Sequence, residues 1–200
     1  MIDNTSKDFS LEALRAGDKA EFSRLVEAYS TPIYRLGLKM LADPQEAEDV
    51  LQTTFLKAFQ HLPQFEGRSS VSTWLYRIAA NEALMILRRR RPELPLEDEL
   101  EEEGKVPHPF QFADWGQLPE RELLSGEAKK KLDLAIQKLP EKLRVVFLLR
   151  DVEGLSIKET SEALNLSETA IKTRLLRARL QLREQLSAYF AERLSEEEHK

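Results

Sequence analysis

The sequence predicts an all-α protein: two small helical domains joined by a flexible acidic linker, the C-terminal domain carrying a helix-turn-helix. Three observations lead there. β-branched residues are scattered and nowhere alternate with polar ones, so no strand is expected. Capping residues recur just ahead of apolar patterns of helical period, at Ser10, Asp18, Thr31, Asp43 and Ser156. Between them, residues 92–118 interrupt the pattern with prolines, an acidic run and clustered aromatics (Phe110, Phe112, Trp115). The expected boundaries are 10–91 for the first domain, 92–118 for the linker and 119–194 for the second.

Taken in order, a short helix after Ser10 ends at Gly17, and Asp18 with Glu21 forms a capping box for a helix to about Tyr29. Thr31-Pro32 reads as an N-cap with proline at the first helical position, so a new helix is expected there, turning Ile33, Leu36, Met40 and Leu41 to the core. Asp43-Pro44 opens the next. Its buried stripe is Ala47, Leu51, Phe55, Ala58 and Leu62; opposite lie Asp49, Gln52, Thr53, Leu56 and Gln60, a leucine among polar groups. A single exposed leucine is ordinary, but a docking face for a partner protein fits as well.

Gly67 and its neighbouring serines read as a loop whose hydroxyls serve as helix caps or as ligand contacts. The helix after it buries Leu75, Ile78, Ala79 and Ile86, with Glu82 on the same face unaccounted for. Its other side presents Thr73, Arg77, Leu84 and Arg88, flanked by Trp74 and Asn81, a mixture of basic, aromatic and hydroxyl groups suited to unstacked bases and phosphates. Arg88 to Arg91 favour the helix C-terminus through its dipole, yet four in a row point all round the helix, more than a dipole effect needs.

After the linker, Pro119 opens a helix to about Leu139 and Pro140 another to about Arg150. Ser156 and Glu159 form a capping box, so a short helix starts at Ile157 and ends near Leu164. Asn165 suits the left-handed corner of a helix-turn-helix. Ser167 caps a second helix in which Ile171, Leu175, Ala178 and Leu182 face a core, while Thr169, Lys172, Thr173, Leu176 and Arg177 lie opposite. A helix lying in a major groove needs such a cationic back; an ordinary amphipathic helix with a solvated basic face would show the same pattern. The tail Ser195–Lys200 is polar and expected to fray.

Composition narrows the function. Two hundred residues with no cysteine leave no disulfide framework or thiolate metal site, and no signal peptide or membrane-spanning run is expected, which points to the cytoplasm. The net charge of −5 conceals segregation: Arg68 to Arg91 holds six Arg and one acidic residue, Glu93 to Lys105 seven acidic residues and one basic. The three histidines are scattered and no Gly-rich phosphate loop is present, so neither an enzyme nor a metal or cofactor is expected. As a flexible coil the 27-residue linker spans roughly 30 Å, close to one DNA turn of about 34 Å.

Four segments together, AEDVLQTTFLKAF, FEGRSSVSTWLYRIAANEALMILRRRR, LPEKLRVVFLLRDVEGLSIKETSEAL and AIKTRLLRARLQL, appear in the order seen in bacterial RNA polymerase sigma factors of the extracytoplasmic-function (group IV) family, which the chain resembles over roughly Glu21–Arg91 and Lys129–Leu186. The resemblance implies a transcription initiation factor that catalyses nothing itself. By it, Asp49, Gln52, Thr53 and Leu56 would grip the coiled coil of the core polymerase clamp. Ser69, Ser70, Ser72, Thr73, Trp74, Arg77, Asn81 and Arg88 would hold the melted non-template strand of the minus-ten element. Thr169, Lys172, Thr173, Leu176 and Arg177 would read the minus-thirty-five element as duplex. Partners so implied are core RNA polymerase (clamp and flap), promoter DNA and an anti-sigma factor, within a stress response. The acidic run Glu97–Glu103 would thread the polymerase channels or act as a passive tether. Two positions depart from the family pattern: Met85, where a polar residue is common, and the Ser-Glu-Thr-Ala entry to the second helix of the pair.

Rival functions leave features unused. A conventional helix-turn-helix activator would need a sensor cavity or phospho-acceptor cluster in its first half, and none is recognisable. An adaptor that touched polymerase but not DNA would leave both basic faces without a task.

Overall fold

A computed structural model describes residues 9–90 and 126–197, and these are helical with no strand among them. Residues 92–118, with the aromatic cluster and Glu97–Glu103, lie outside the described residues, as do Arg91 and the expected helix start at Pro119.

Helix α1 (Leu11–Arg15) is capped by the Ser10 hydroxyl, which accepts from the Ala13 amide at 3.2 Å. Gly17, at φ 77°, turns the chain into α2 (Lys19–Leu41), whose cap is Asp18. Glu21 completes only half the expected box. Its carboxylate accepts instead from the Ser10 amide at 2.8 Å, tying α1 to α2.

The break expected at Thr31-Pro32 does not occur: α2 is one 23-residue helix with Pro32 inside it. An interior proline costs about 3 kcal/mol, but Leu25 before it and Ile33, Leu36 and Met40 after it are all buried on one continuous stripe. Packing on both sides of the proline outweighs the local penalty. Ala42 then ends α2 in the left-handed conformation, and Asp43 caps α3 (Pro44–His61) through the amides of Gln45 and Glu46, as the sequence predicts.

Helices α2 and α3 cross closely where Gly37 meets Ala47. A Cβ on Gly37 would stand 3.2 Å from the Ala47 Cα, a backbone atom that cannot swing aside. Gly37→Ala is therefore expected to lower the melting temperature, since overpacking of about 1–3 kcal/mol outweighs the ~1 kcal/mol that alanine adds in helix propensity. A thermal melt checks it.

After a short 3-10 turn (Leu62–Gln64), α4 (Val71–Arg90) packs on α2 and α3. Lys57 of α3 reaches Glu82 at 2.5 Å, which accounts for the carboxylate on the inner face of α4. Arg90 ion-pairs with Glu46 and donates to the Leu41 carbonyl at 3.1 Å, so one arginine of the run fastens the end of α4 to the start of α3.

The second half comprises α5 (Gly126–Lys138), α6 (Glu141–Phe147), a wide turn (Leu148–Val152), α7 (Ile157–Leu164) and α8 (Glu168–Glu197). The wide turn bonds Glu153 N–H to the Leu148 carbonyl and Leu155 N–H to that of Leu149, one and two residues beyond α-helical spacing. Ser156 and Glu159 form both bonds of the capping box, and Asn165 holds φ 53°, ψ 47° at the corner. Ile171, Leu175, Ala178 and Leu182 are buried as predicted. Helix α8 continues through Glu197, so Ser195–Glu197 are helical where fraying was expected; the last three residues lie outside the description.

The two halves share one continuous hydrophobic core, with α7 lying against α4. No described helix is long and apolar enough to cross a membrane.

Candidate functional site

Three faces gather the residues singled out above. On α3, Asp49, Gln52 and Leu56 are exposed and Thr53 is half-buried, all on one stripe. Leu56 is 59% exposed. Phe59, one turn further on, is 49% exposed and belongs to the same patch. Its ring sits 5.1 Å from Phe22 of α2, edge to face, which fixes it in place without covering it. Phe59 went unnoticed in the sequence because it borders the apolar stripe of α3. That stripe is itself turned slightly from expectation: Ala47, Val50, Thr54 and Ala58 are fully buried, whereas Leu51 and Phe55 sit at its edge. An exposed Leu-Phe pair rimmed by polar groups suits contact with another protein.

The second face lies on α4. At 100° per residue, Thr73, Arg77, Asn81 and Arg88 fall within about 80° of one another. Arg77, Asn81 and Arg88 are exposed. Thr73, expected on the open side, is instead only 2% exposed because α7 covers it, its hydroxyl 3.5 Å from the Glu159 carboxylate. Ser70 turns out to be the cap of α4: its hydroxyl accepts from the Thr73 amide at 3.1 Å and lies 2.8 Å from Ser72 Oγ and 2.7 Å from Thr73 Oγ1. Of the serine hydroxyls, Ser70 and Ser72 thus have partners within the cap, and Ser69 makes a long contact of 3.4 Å to the Ser70 carbonyl. Trp74 is half-buried against the core and stacked on Phe65, ring centres 4.7 Å apart and planes at 29°. A cleft of about 450 Å³ between this face and the helix-turn-helix is lined by Arg68, Ser69, Arg77, Ser161, Glu162, Asn165 and Leu166.

Glu159 is therefore used twice. Burial alone would raise its carboxyl pKa, but bonds from the Ser156 amide and hydroxyl, and from Thr73, hold it below the usual range. The stabilisation from this depressed pKa is present above the ordinary carboxylate pKa and is lost as pH falls through the lowered folded value.

The third face is the N-terminal half of α8. Thr169 and Lys172 are exposed, and Thr173, Leu176 and Arg177 are half-buried. Lys172 pairs with Glu168 at 3.7 Å, one turn before it, so the acidic entry to this helix is partly neutralised by its own neighbour. Thr173 and Leu176 line a largely apolar groove of about 420 Å³, with Arg150, Ile157, Lys172, Leu175 and Arg179. Arg179 closes one side through a two-pronged pair with Asp151, at 2.7 and 2.8 Å, which keeps its guanidinium pKa above the ordinary value despite partial burial. Sequence reading missed Arg179 as the clamp between α8 and the wide turn, since its partner lies 28 residues back.

A family profile described as "Sigma-70 region 2" matches residues 25–93, and one described as "Sigma-70, region 4" matches residues 129–182. The chain is 36% identical to the ECF RNA polymerase sigma factor SigW of Bacillus subtilis, over 88% of this chain and 94% of that protein. It is 36% identical to the RNA polymerase sigma-H factor of Pseudomonas aeruginosa, over 84% and 88%. Among solved structures, CnrH in complex with the cytosolic domain of CnrY matches with a TM-score of 0.65 at 22% identity, over 89% of this chain and 95% of that one. The sigma factor RpoE of Bartonella quintana, solved with the anti-sigma factor NepR, matches with a TM-score of 0.61 at 23% identity, over 84% and 97%. At those identities the two structures speak for the fold.

Proposed function

From the premise that the chain belongs to the sigma-70 family of transcription initiation factors, in its extracytoplasmic-function branch, we propose how its three faces divide the work. The chain binds core RNA polymerase and directs it to promoters. Asp49, Gln52, Thr53 and Leu56, joined by Phe59, dock on the polymerase clamp. Arg77, Asn81 and Arg88 hold the backbone and bases of the opened minus-ten strand, with Ser69, Ser70, Ser72, Thr73 and Trp74 shaping the entrance. Thr169, Lys172, Thr173, Leu176 and Arg177 read the minus-thirty-five duplex. The observation that supports this most directly is the presence, in one chain, of exposed Arg77 and Arg88 on α4 and of exposed Lys172 beside half-buried Arg177 on a capped helix-turn-helix.

The chain supplies positioning and strand opening, and the polymerase supplies the chemistry, in the bacterial cytoplasm. Extruding a base from the stack costs a few kcal/mol, which capture by the α4 face offsets. The acidic linker couples the two DNA contacts, and an anti-sigma factor holds the chain in reserve until a stress signal releases it. Promoter-specific transcription from pure core polymerase plus this chain tests the whole reading; transcripts no more specific than those of core enzyme alone would reject it.

On α8 two substitutions are expected to separate. Arg177→Ala, if the guanidinium reads a guanine in bidentate fashion, costs about 1–3 kcal/mol and relaxes preference at one base pair. Lys172→Ala removes a phosphate contact, weakens all sequences alike and reduces the salt slope by about one. Holoenzyme binding to a set of single-base promoter variants at several salt concentrations distinguishes these outcomes, and two unchanged profiles would remove α8 from the duplex interface.

A further inference from the structure

The loop that leads into α4 is braced by α1. Arg15, the last residue of α1, donates from Nε to the Phe65 carbonyl at 2.7 Å, and its Nη2 donates to the same oxygen. One turn earlier, the Leu11 side chain stands against Gly67. A Cβ on Gly67 would lie 3.0 Å from Leu11 Cδ2, and the glycine turns the loop there with a φ of 76°. Helix α1 is itself well anchored: Leu14 is buried in the core, and the Glu21 carboxylate of α2 accepts from the Ser10 amide at 2.8 Å. Arg15 and Phe65 are 50 residues apart, so the contact is tertiary. It is made to a backbone oxygen, and it therefore fixes where the loop sits whatever side chains the loop carries.

The braced segment is short. Phe65 is tied a second time by its stack on Trp74, and Ser70 caps α4, so only Glu66 to Ser69 lie between two fixed ends. Arg15 is exposed, and an exposed side chain of this kind contributes little to the stability of the whole fold. What it decides is which placement of the loop is populated. We infer that α1 presets this loop for the opened strand, with Arg15 a positioning residue that touches no nucleic acid itself. The inference rests on the assignment of the serine loop and α4 to the minus-ten strand. A loop already in place needs no ordering when the strand arrives, so that cost does not subtract from strand affinity.

The test uses the full chain bound to core polymerase. Arg15→Ala removes both donors, Arg15→Lys keeps the charge and a donor, and Leu11→Ala weakens the brace without touching charge. If loss of the brace leaves the loop correctly placed in about one molecule in ten, apparent affinity for a minus-ten non-template oligonucleotide falls about tenfold. That fall is expected in Arg15→Ala and a smaller one in Leu11→Ala, while Arg15→Lys should recover most of it. In Arg15→Ala the melting temperature, co-elution with core polymerase and binding of a minus-thirty-five duplex should stay at wild-type values. Salt separates positioning from direct contact. A brace leaves the slope of affinity against salt unchanged, whereas a slope lower by about one in Arg15→Ala would make Arg15 a phosphate contact and overturn the positioning role. A second readout reports the loop itself. The chain has two tryptophans, so a Trp115→Phe background leaves Trp74 as the sole emitter, and Arg15→Ala should raise its quenching by acrylamide in the free chain. Unchanged quenching overturns the brace, and freer quenching with unchanged oligonucleotide affinity overturns its part in strand capture. Failure of the wild-type holoenzyme to prefer single strand over duplex would overturn the strand assignment, while the quenching would still report whether α1 holds the loop.

Discussion

Leu56→Asp should abolish co-elution with core RNA polymerase while leaving the melting temperature close to wild type. Leu56 is the most exposed of the large apolar side chains identified, at 59%, and its neighbour Phe59 stands open at 49%. A buried apolar anchor at the centre of a protein interface is worth about 2–4 kcal/mol, a loss of roughly 30- to 1000-fold in affinity. A carboxylate placed there adds its own desolvation cost. The folded monomer loses almost nothing, because a surface substitution away from the core stays within about 0.5 kcal/mol. Size-exclusion chromatography with core enzyme and a thermal melt of the free chain read the two effects separately. A variant that still co-elutes would move polymerase docking off this face; one that unfolds would make Leu56 a core residue.

Trp74→Ala should cost about 3 kcal/mol of stability. That is the lower end of the range for deleting a large aromatic, because Trp74 is half-buried, but it includes the stacked contact with Phe65 at 4.7 Å. For a chain of this size the melting temperature should fall by roughly 6–12 °C. Trp74→Phe keeps a ring on Phe65 and so separates support from recognition. If Trp74 also stacks a base, worth about 1–3 kcal/mol, then Trp74→Phe will hold its stability but lose single-strand affinity in the holoenzyme. Unchanged affinity in a stable Trp74→Phe would confine the indole to holding the loop.

The elements that were legible in the sequence are those decided locally. Ser156 and Glu159 satisfy each other's backbone three residues apart, Asn165 tolerates the corner's positive φ, and Asp43-Pro44 needs only its own neighbours. Features decided by distant packing were not legible. Pro32 reads as a helix start until the continuous buried stripe on both sides of it is seen. Glu82 has no local partner, because Lys57 comes from another helix. Thr73 looked open since its cover, α7, lies more than 80 residues later in the chain. The candidate faces on α3 and α8 could be listed from periodicity, but Phe59 and the Arg179–Asp151 clamp required knowing which edges the fold leaves open.

The wide turn at Leu148–Val152 bears on which length changes this chain can accept. Each residue inserted into or removed from a helix rotates everything beyond it by about 100° and shifts it by about 1.5 Å. The turn already holds one residue more than a regular helix would pair, and that residue sets the angle at which Glu153 leaves toward Arg35 and Tyr76 of the first half and Ser156 begins the helix-turn-helix. A one-residue deletion here would tidy the backbone hydrogen bonding and improve local helix geometry. It would also swing the carboxylate away from Arg35 and Tyr76 and slide Asp151 out of register with Arg179. Length in this turn is therefore constrained even where residue identity is not. Homologous chains that differ by an insertion or deletion should carry it in the loops or the linker, and a shuffled hybrid joined within Leu148–Val152 should fail unless both parents share the same count of residues there.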